Sequence, residues 1–127
     1  VELTGQVRID SFLPEIDVLV FSSISEAQPL AILEAGACGI PTVATDVGAC
    51  REMLLGRDDE SPAYGAGGVI VPLSNPQALA DGIYQLLTNQ NLYRDCSLAI
   101  RNRVQALYNK NDQHEAYRSL YATYLKQ

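Results

Sequence analysis

Two glutamates, Glu26 and Glu34, stand eight residues apart, with Ser22, Ser23 and Ser25 just before the first and Pro29 between them. An ionised carboxylate accepts two hydroxyl hydrogens at once, so such a pair suits gripping the vicinal hydroxyls of a sugar and of a ribose. Proline favours the opening of a helix. A helix start offers free N–H groups and partial positive charge, and so receives an anion without lysine or arginine. That suits this stretch, because only Arg8 and Arg51 are basic among the first 56 residues. Taken alone, these residues leave a second reading open, with Glu26 as an acid at a helix N-terminus and Glu34 as a solvated helix residue.

The other polar groups give weaker signals. Gly65-Ala66-Gly67-Gly68 looks like a phosphate loop but precedes a strand run, whereas a dinucleotide fingerprint follows one. Asp46 could face a ligand, although a turn or capping role suits it better. Arg51 has Glu52 beside it, which predicts a solvated pair. Cys38, Cys50 and Cys96 lack metal-ligand spacing, and with His114 the single histidine no metal site is expected. Three reduced thiols fit a cytoplasmic protein. A net charge of −6 and a pI near 4.6 argue against a nucleic-acid partner.

The elements that must position the glutamates follow from periodicity. Apolar, β-branched runs predict strands at Val1–Leu3, Asp17–Phe21, Thr42–Thr45 and Val69–Val71. Helical patterns fall between them: Ile9–Ile16 with Asp10 or Ser11 as N-cap, Gln28–Cys38 with Pro29 in its first turn, and Val47–Leu55 closing at Gly56. This alternation predicts an α/β fold, a parallel sheet of about four strands with helices on both faces. The polar loop Arg57–Gly68 is long enough to be functional or mobile. Helices over Pro76–Thr88, Leu92–Tyr108 and Asp112–Leu125 then make a helical tail, so that 1–71 form the α/β part and 72–127 the tail. No apolar run is long enough to cross a bilayer, and the first residues read as a chain cut within a strand.

The run Ser-Glu-Ala-Gln-Pro-Leu-Ala-Ile-Leu-Glu-Ala-Gly-Ala-Cys-Gly-Ile-Pro-Thr-Val-Ala-Thr-Asp-Val-Gly, from Ser25 to Gly48, resembles the E-x7-E region of retaining glycosyltransferases of the GT-B fold. With Asp46–Glu52 behind it, the Ser-Glu-Ala-Gln-Pro variant is similar to that of the Pel exopolysaccharide transferases, a branch of that family. The likeness runs from about Leu3 to Val71, and a helical tail is also typical of the fold. It implies the C-terminal, donor-binding lobe of an enzyme that moves a hexose from a nucleoside-diphosphate sugar, a UDP-sugar by preference. The nucleotide sugar is then a substrate, and no cofactor is implied.

By the resemblance, Glu34 holds the ribose hydroxyls, and Glu26 lies at the donor sugar as the catalytic-site acid. Ala27, Gln28 and Leu30 supply backbone amides to the sugar and pyrophosphate, except that Pro29 has no N–H to give. Gly5, Gln6 and Val7, with Thr4, match the loop against the base, where an ordinary turn is the other reading. The family's Arg and Lys pair, which neutralises the leaving diphosphate, would lie upstream with an acceptor lobe. The chain by itself is thus expected to be inactive. A non-catalytic nucleotide-binding module and a nucleotide-sugar isomerase of the same fold are the alternatives. In the tail, Tyr117, Leu120, Tyr121, Tyr124 and Leu125 fall on one helical stripe, with Asp112 as N-cap and Glu115 completing a capping box. That stripe is expected either to be buried or to drive weak self-association through Tyr117, Tyr121 and Tyr124.

Overall fold

A computed structural model describes residues 2–125. Three parallel strands, β1 (Leu19–Phe21), β2 (Thr42–Thr45) and β3 (Gly68–Val71), lie side by side in chain order. Leu19 stands opposite Thr42, and Thr42 opposite Gly68. Six helices accompany them among the described residues: α1 (Ile9–Phe12, continued by a 3-10 turn at Leu13–Glu15), α2 (Leu30–Ala37), α3 (Cys50–Leu55), α4 (Pro76–Thr88), α5 (Gln90–Leu107) and α6 (Lys110–Tyr124). The α/β architecture with a helical tail matches the expectation, with three strands rather than four among the described residues. Of the expected strand Val1–Leu3, Val1 lies outside the described residues. Glu2 and Leu3 pair with nothing, and Leu3 is 93 % exposed.

The period of two along β2 builds a core on each face of the sheet. Ala44 joins Ile32, Met53, Leu54, Ile100 and Val104 from α2, α3 and α5. Its neighbour Val43 points the other way, to Val71, Leu86 and Cys96, with Leu79 and Ile83 of α4 beside them. All four residues of β2 are buried, as a central strand of a parallel sheet requires. Gly36 lets α2 and α5 approach closely, since a Cβ there would stand 2.7 Å from Ile100 Cγ1.

Helix α5 closes the amino end of the sheet. Its Tyr93 hydroxyl donates to the carbonyl of Asp17 before β1 (3.0 Å), and its Ser97 hydroxyl to that of Gly39 before β2 (2.6 Å). Arg103, fully buried, does the same before β3. Its Nε and Nη2 grip both oxygens of Glu60 at 2.7 and 2.8 Å, while Nη1 donates to Leu54 O and Nη2 to Gly65 O. The loop expected to be functional or mobile is therefore pinned. The Gly65–Gly68 run belongs to it: Gly67 N donates to Leu54 O, at the end of the sheet opposite the strands' carboxyl ends.

Of the two outcomes expected for the tyrosine stripe, the described residues show the exposed one. No residue of α6 is buried, and the stripe from Tyr117 to Leu125 is between 51 % and 85 % exposed. Periodicity reports that a helix has an apolar side, but whether another surface meets that side is a tertiary matter. Asp112 is not the N-cap. Asn109 takes that place three residues earlier, accepting from Asn111 N at 2.9 Å, and Asp112 sits in the first turn.

Candidate donor site

Ligands of open parallel sheets sit outside the carboxyl ends of the strands. At that edge β1 ends in Phe21, and the chain runs through Ser22–Pro29 into α2. Thr45, the last residue of β2, donates its hydroxyl to the carbonyl of Ser23. Ser23 in turn donates its own hydroxyl to Oε1 of Glu26 at 2.9 Å. One residue on, Ala27 O accepts from Ala49 N at 2.9 Å, which ties the Glu26 segment to the turn after β2. Gly48 of that turn has φ of +49°, and a Cβ there would lie 2.1 Å from Glu26 O and 2.6 Å from Ala27 O.

Pro29 is the N-cap of α2, one place earlier than its expected position inside the first turn. The donor that proline lacks is thus lost at the cap, and the first-turn amides of Leu30 and Ala31 remain. Proline has no side chain able to cap, and the first turn holds no acid. Among the described residues the amides of Ala27, Gln28, Leu30 and Ala31 find no acceptor. Glu34 is exposed one turn beyond Leu30, on the outward side of α2 and away from the buried Ile32. Its carboxylate makes no hydrogen bond or ion pair with the described residues. Gln28 and Leu30 open onto a groove of about 460 Å³ whose other wall includes Tyr108, Asp112 and Gln113.

Gly5, Gln6 and Val7 are placed differently. They lie in an exposed segment before α1, where Gly5 turns the chain with φ of +66°. No hydrogen bond joins them to Ser22–Glu34 among the described residues. Asp46 neither caps nor faces open solvent alone. It receives Arg51 Nε at 3.1 Å, so that Arg51 pairs with Asp46 and not with Glu52. Arg51 holds the Asp46 carboxyl below its usual range, and Asp46 raises Arg51. Glu52 instead faces Arg57 at 3.6 Å. Burial pushes the Cys50 thiol up, and the nearby carboxylates of Glu26 and Asp46 act in the same direction. Among the described residues there is no cluster of three His, Cys, Asp or Glu able to hold a metal ion.

Ser23 stands out in the sequence only as one of three serines before Glu26, and Thr45 and Gly48 carry no role there. A signal for the first two exists: each ends or follows an apolar strand run, at the edge where ligands sit. Gly48 shows itself only through the segment it touches.

An open parallel sheet with helices on both faces, an unsatisfied helix start at its carboxyl edge and two nearby carboxylates make a candidate ligand site on an α/β lobe. The glycosyl transferases group 1 family model matches residues 1–89, and the chain belongs to that family. It is 26 % identical over 98 % of its length to N-acetyl-alpha-D-glucosaminyl L-malate synthase of Bacillus anthracis, covering 30 % of that protein. It is 29 % identical over 94 % of its length to the amylovoran biosynthesis glycosyltransferase AmsK of Erwinia amylovora, covering 29 % of it. Among solved structures, sucrose-phosphate synthase from Thermosynechococcus elongatus superposes with a TM-score of 0.76 at 28 % identity, over 94 % of this chain and 30 % of that one. The C-terminal domain of the group 1 glycosyl transferase LpcC from Francisella tularensis gives 0.67 at 26 % identity, over 86 % and 52 %. The chain thus spans under a third of the length of these two curated relatives. No described helix is long and apolar enough to cross a membrane.

Proposed function

We propose that this chain is the donor-binding part of a retaining glycosyltransferase that moves a hexose from a UDP-sugar to an acceptor in bacterial polysaccharide synthesis. The observation that carries the reading is the open start of α2. Amides at Ala27, Gln28, Leu30 and Ala31 without acceptors form a place for a pyrophosphate, flanked by Glu26 on one side and Glu34 one turn into the helix. Glu34 takes the ribose and Glu26 the donor hexose. Relatives that act in glucosaminyl transfer and amylovoran biosynthesis support the substrate class and the pathway type, and the Ser25–Gly48 run supports the Pel-like branch.

The departing diphosphate needs positive charge as it leaves. Arg51 is committed to Asp46, and Arg57, which lines the groove beside Gln28 and Leu30, to Glu52 and Asp59; that charge is therefore proposed to come from outside this chain, and the isolated chain to transfer no sugar. Calorimetric titration of the full-length protein with UDP tests the assignment. Glu34→Ala loses a charge-assisted hydrogen bond and weakens UDP binding by at least about tenfold. Glu26→Ala weakens binding of the UDP-hexose and leaves UDP itself little changed. Equal UDP affinity in wild type and Glu34→Ala overturns the ribose role. Sugar turnover by the purified 127-residue chain contradicts its dependence on outside groups.

A further inference from the structure

We infer that Ser23 is a positioning residue for the donor hexose, acting through Glu26, and that Thr45 and Gly48 hold the frame in which it does so. The inference rests on Glu26 meeting the donor sugar, as proposed above, and adds what decides the orientation of its carboxylate.

A glutamate on a turn at the sheet edge ordinarily samples many rotamers, and fixing one costs conformational entropy. Here that freedom is already removed. The Ser23 hydroxyl holds Oε1 at 2.9 Å, which restricts the rotation of the carboxylate, while Oε2 has no hydrogen-bond partner among the described residues. Ser23 is itself fixed, because Thr45 at the buried end of the central strand donates to its carbonyl. Two hydrogen bonds therefore link the core strand β2 to the acid, one onto the backbone of Ser23 and one from its side chain.

The backbone beneath Glu26 is held independently. Asp46 N donates to Val71 O at 2.9 Å and Ala49 N to Ala27 O at 2.9 Å, so the turn after β2 links β3 to the Glu26 segment. Gly48 makes the contact close, since any side chain would overlap the carbonyls of Glu26 and Ala27. The acid is thus held from β2 through its side chain and from β3 through its main chain. A carboxylate held in this way meets a hydroxyl of fixed position better than one that must first be ordered. The hydroxyl belongs to the hexose, since the diphosphate is served by the amides of α2.

The test uses the full-length protein, titrated with UDP, UDP-glucose and UDP-N-acetylglucosamine. Ser23→Ala is expected to weaken the better-binding UDP-hexose about tenfold while leaving UDP within about twofold. Ser23→Thr, which keeps the hydroxyl, restores hexose affinity. In a Glu26→Ala background, Ser23→Ala costs nothing further, because the group through which it acts is gone. If Ser23→Ala weakens UDP as much as UDP-hexose, or costs the same with and without Glu26, Ser23 is a structural residue and the inference fails. If Glu26→Ala lowers hexose affinity while Ser23→Ala does not, this inference fails and the donor reading stands. If Glu26→Ala leaves hexose affinity unchanged, or neither hexose nucleotide binds, the donor reading fails and this inference with it.

Discussion

The two ends of the sheet are built on opposite rules. At the amino end each of the three strand-entry segments is bound by a side chain of α5: Tyr93 on Asp17, Ser97 on Gly39, Arg103 on Glu60 and Gly65. At the carboxyl end the segments hold one another, yet α2 starts with its amides unmet. Helix α4 starts at that same edge and shows that this is not forced by position. Asn75 caps it, accepting from Ala78 N at 2.9 Å, with Pro76 in the first turn. α5 and α6 are likewise capped by Asn89 and Asn109. One end therefore spends its polar groups on stability. At the other, α3 also starts without a side-chain cap but carries Glu52 in its first turn, whereas α2 has neither a side-chain cap nor an acid there.

If this division is right, substitutions at the amino end lower stability and spare binding. The largest effect belongs to Arg103→Ala, which strands Glu60, 5 % exposed, without its partner. It should cost about 3–5 kcal/mol by urea unfolding, while UDP affinity per folded molecule stays as in wild type. A parallel loss of UDP affinity would show that the two ends are not separable.

The same ion pair makes the amino end sensitive to acid. Arg103 holds the Glu60 carboxyl below the ordinary glutamate value of 4.5, with a smaller contribution from Tyr64 N, against the opposing effect of burial. Because the folded-state value is the lower one, the folded chain binds fewer protons than the unfolded chain. The contribution is complete above about pH 4.5 and is lost as pH falls through the folded-state value. Stability measured against pH should fall more gently in Glu60→Gln than in wild type below that pH, from a lower plateau.

The smallest effect sharpens the contrast between helix starts. Asn75→Ala removes the cap of α4 and should cost about 1 kcal/mol of stability. UDP affinity should stay within about twofold, since the proposed site lies at the start of α2 and not of α4. A drop comparable to that of Glu34→Ala would move the site along the edge towards β3.

Much of this was open to reading in residue order, where the governing interactions are local. The parallel α/β alternation, β2 and the span Pro76–Thr88 follow from periodicity and turn residues within a few positions of each other. The spacing of Glu26 and Glu34 around Pro29, and a helix start suited to an anion, are likewise properties of a short stretch. Partnership across the fold was not legible. Arg51 chose Asp46 over its neighbour Glu52 because the turn after β2 brings the more distant acid within 3.1 Å. Arg103 lies on the apolar side of α5 and reads as an exposed cation until Glu60, forty-three positions away, folds onto it. The tyrosine stripe of α6 has the pattern of a buried side, and only the absence of a described element against it keeps it exposed. Helix, strand and spacing come from contacts a few residues long. Burial, ion pairing and the orientation of Glu26 depend on which distant segments the sheet brings together, and those the tertiary structure alone decided.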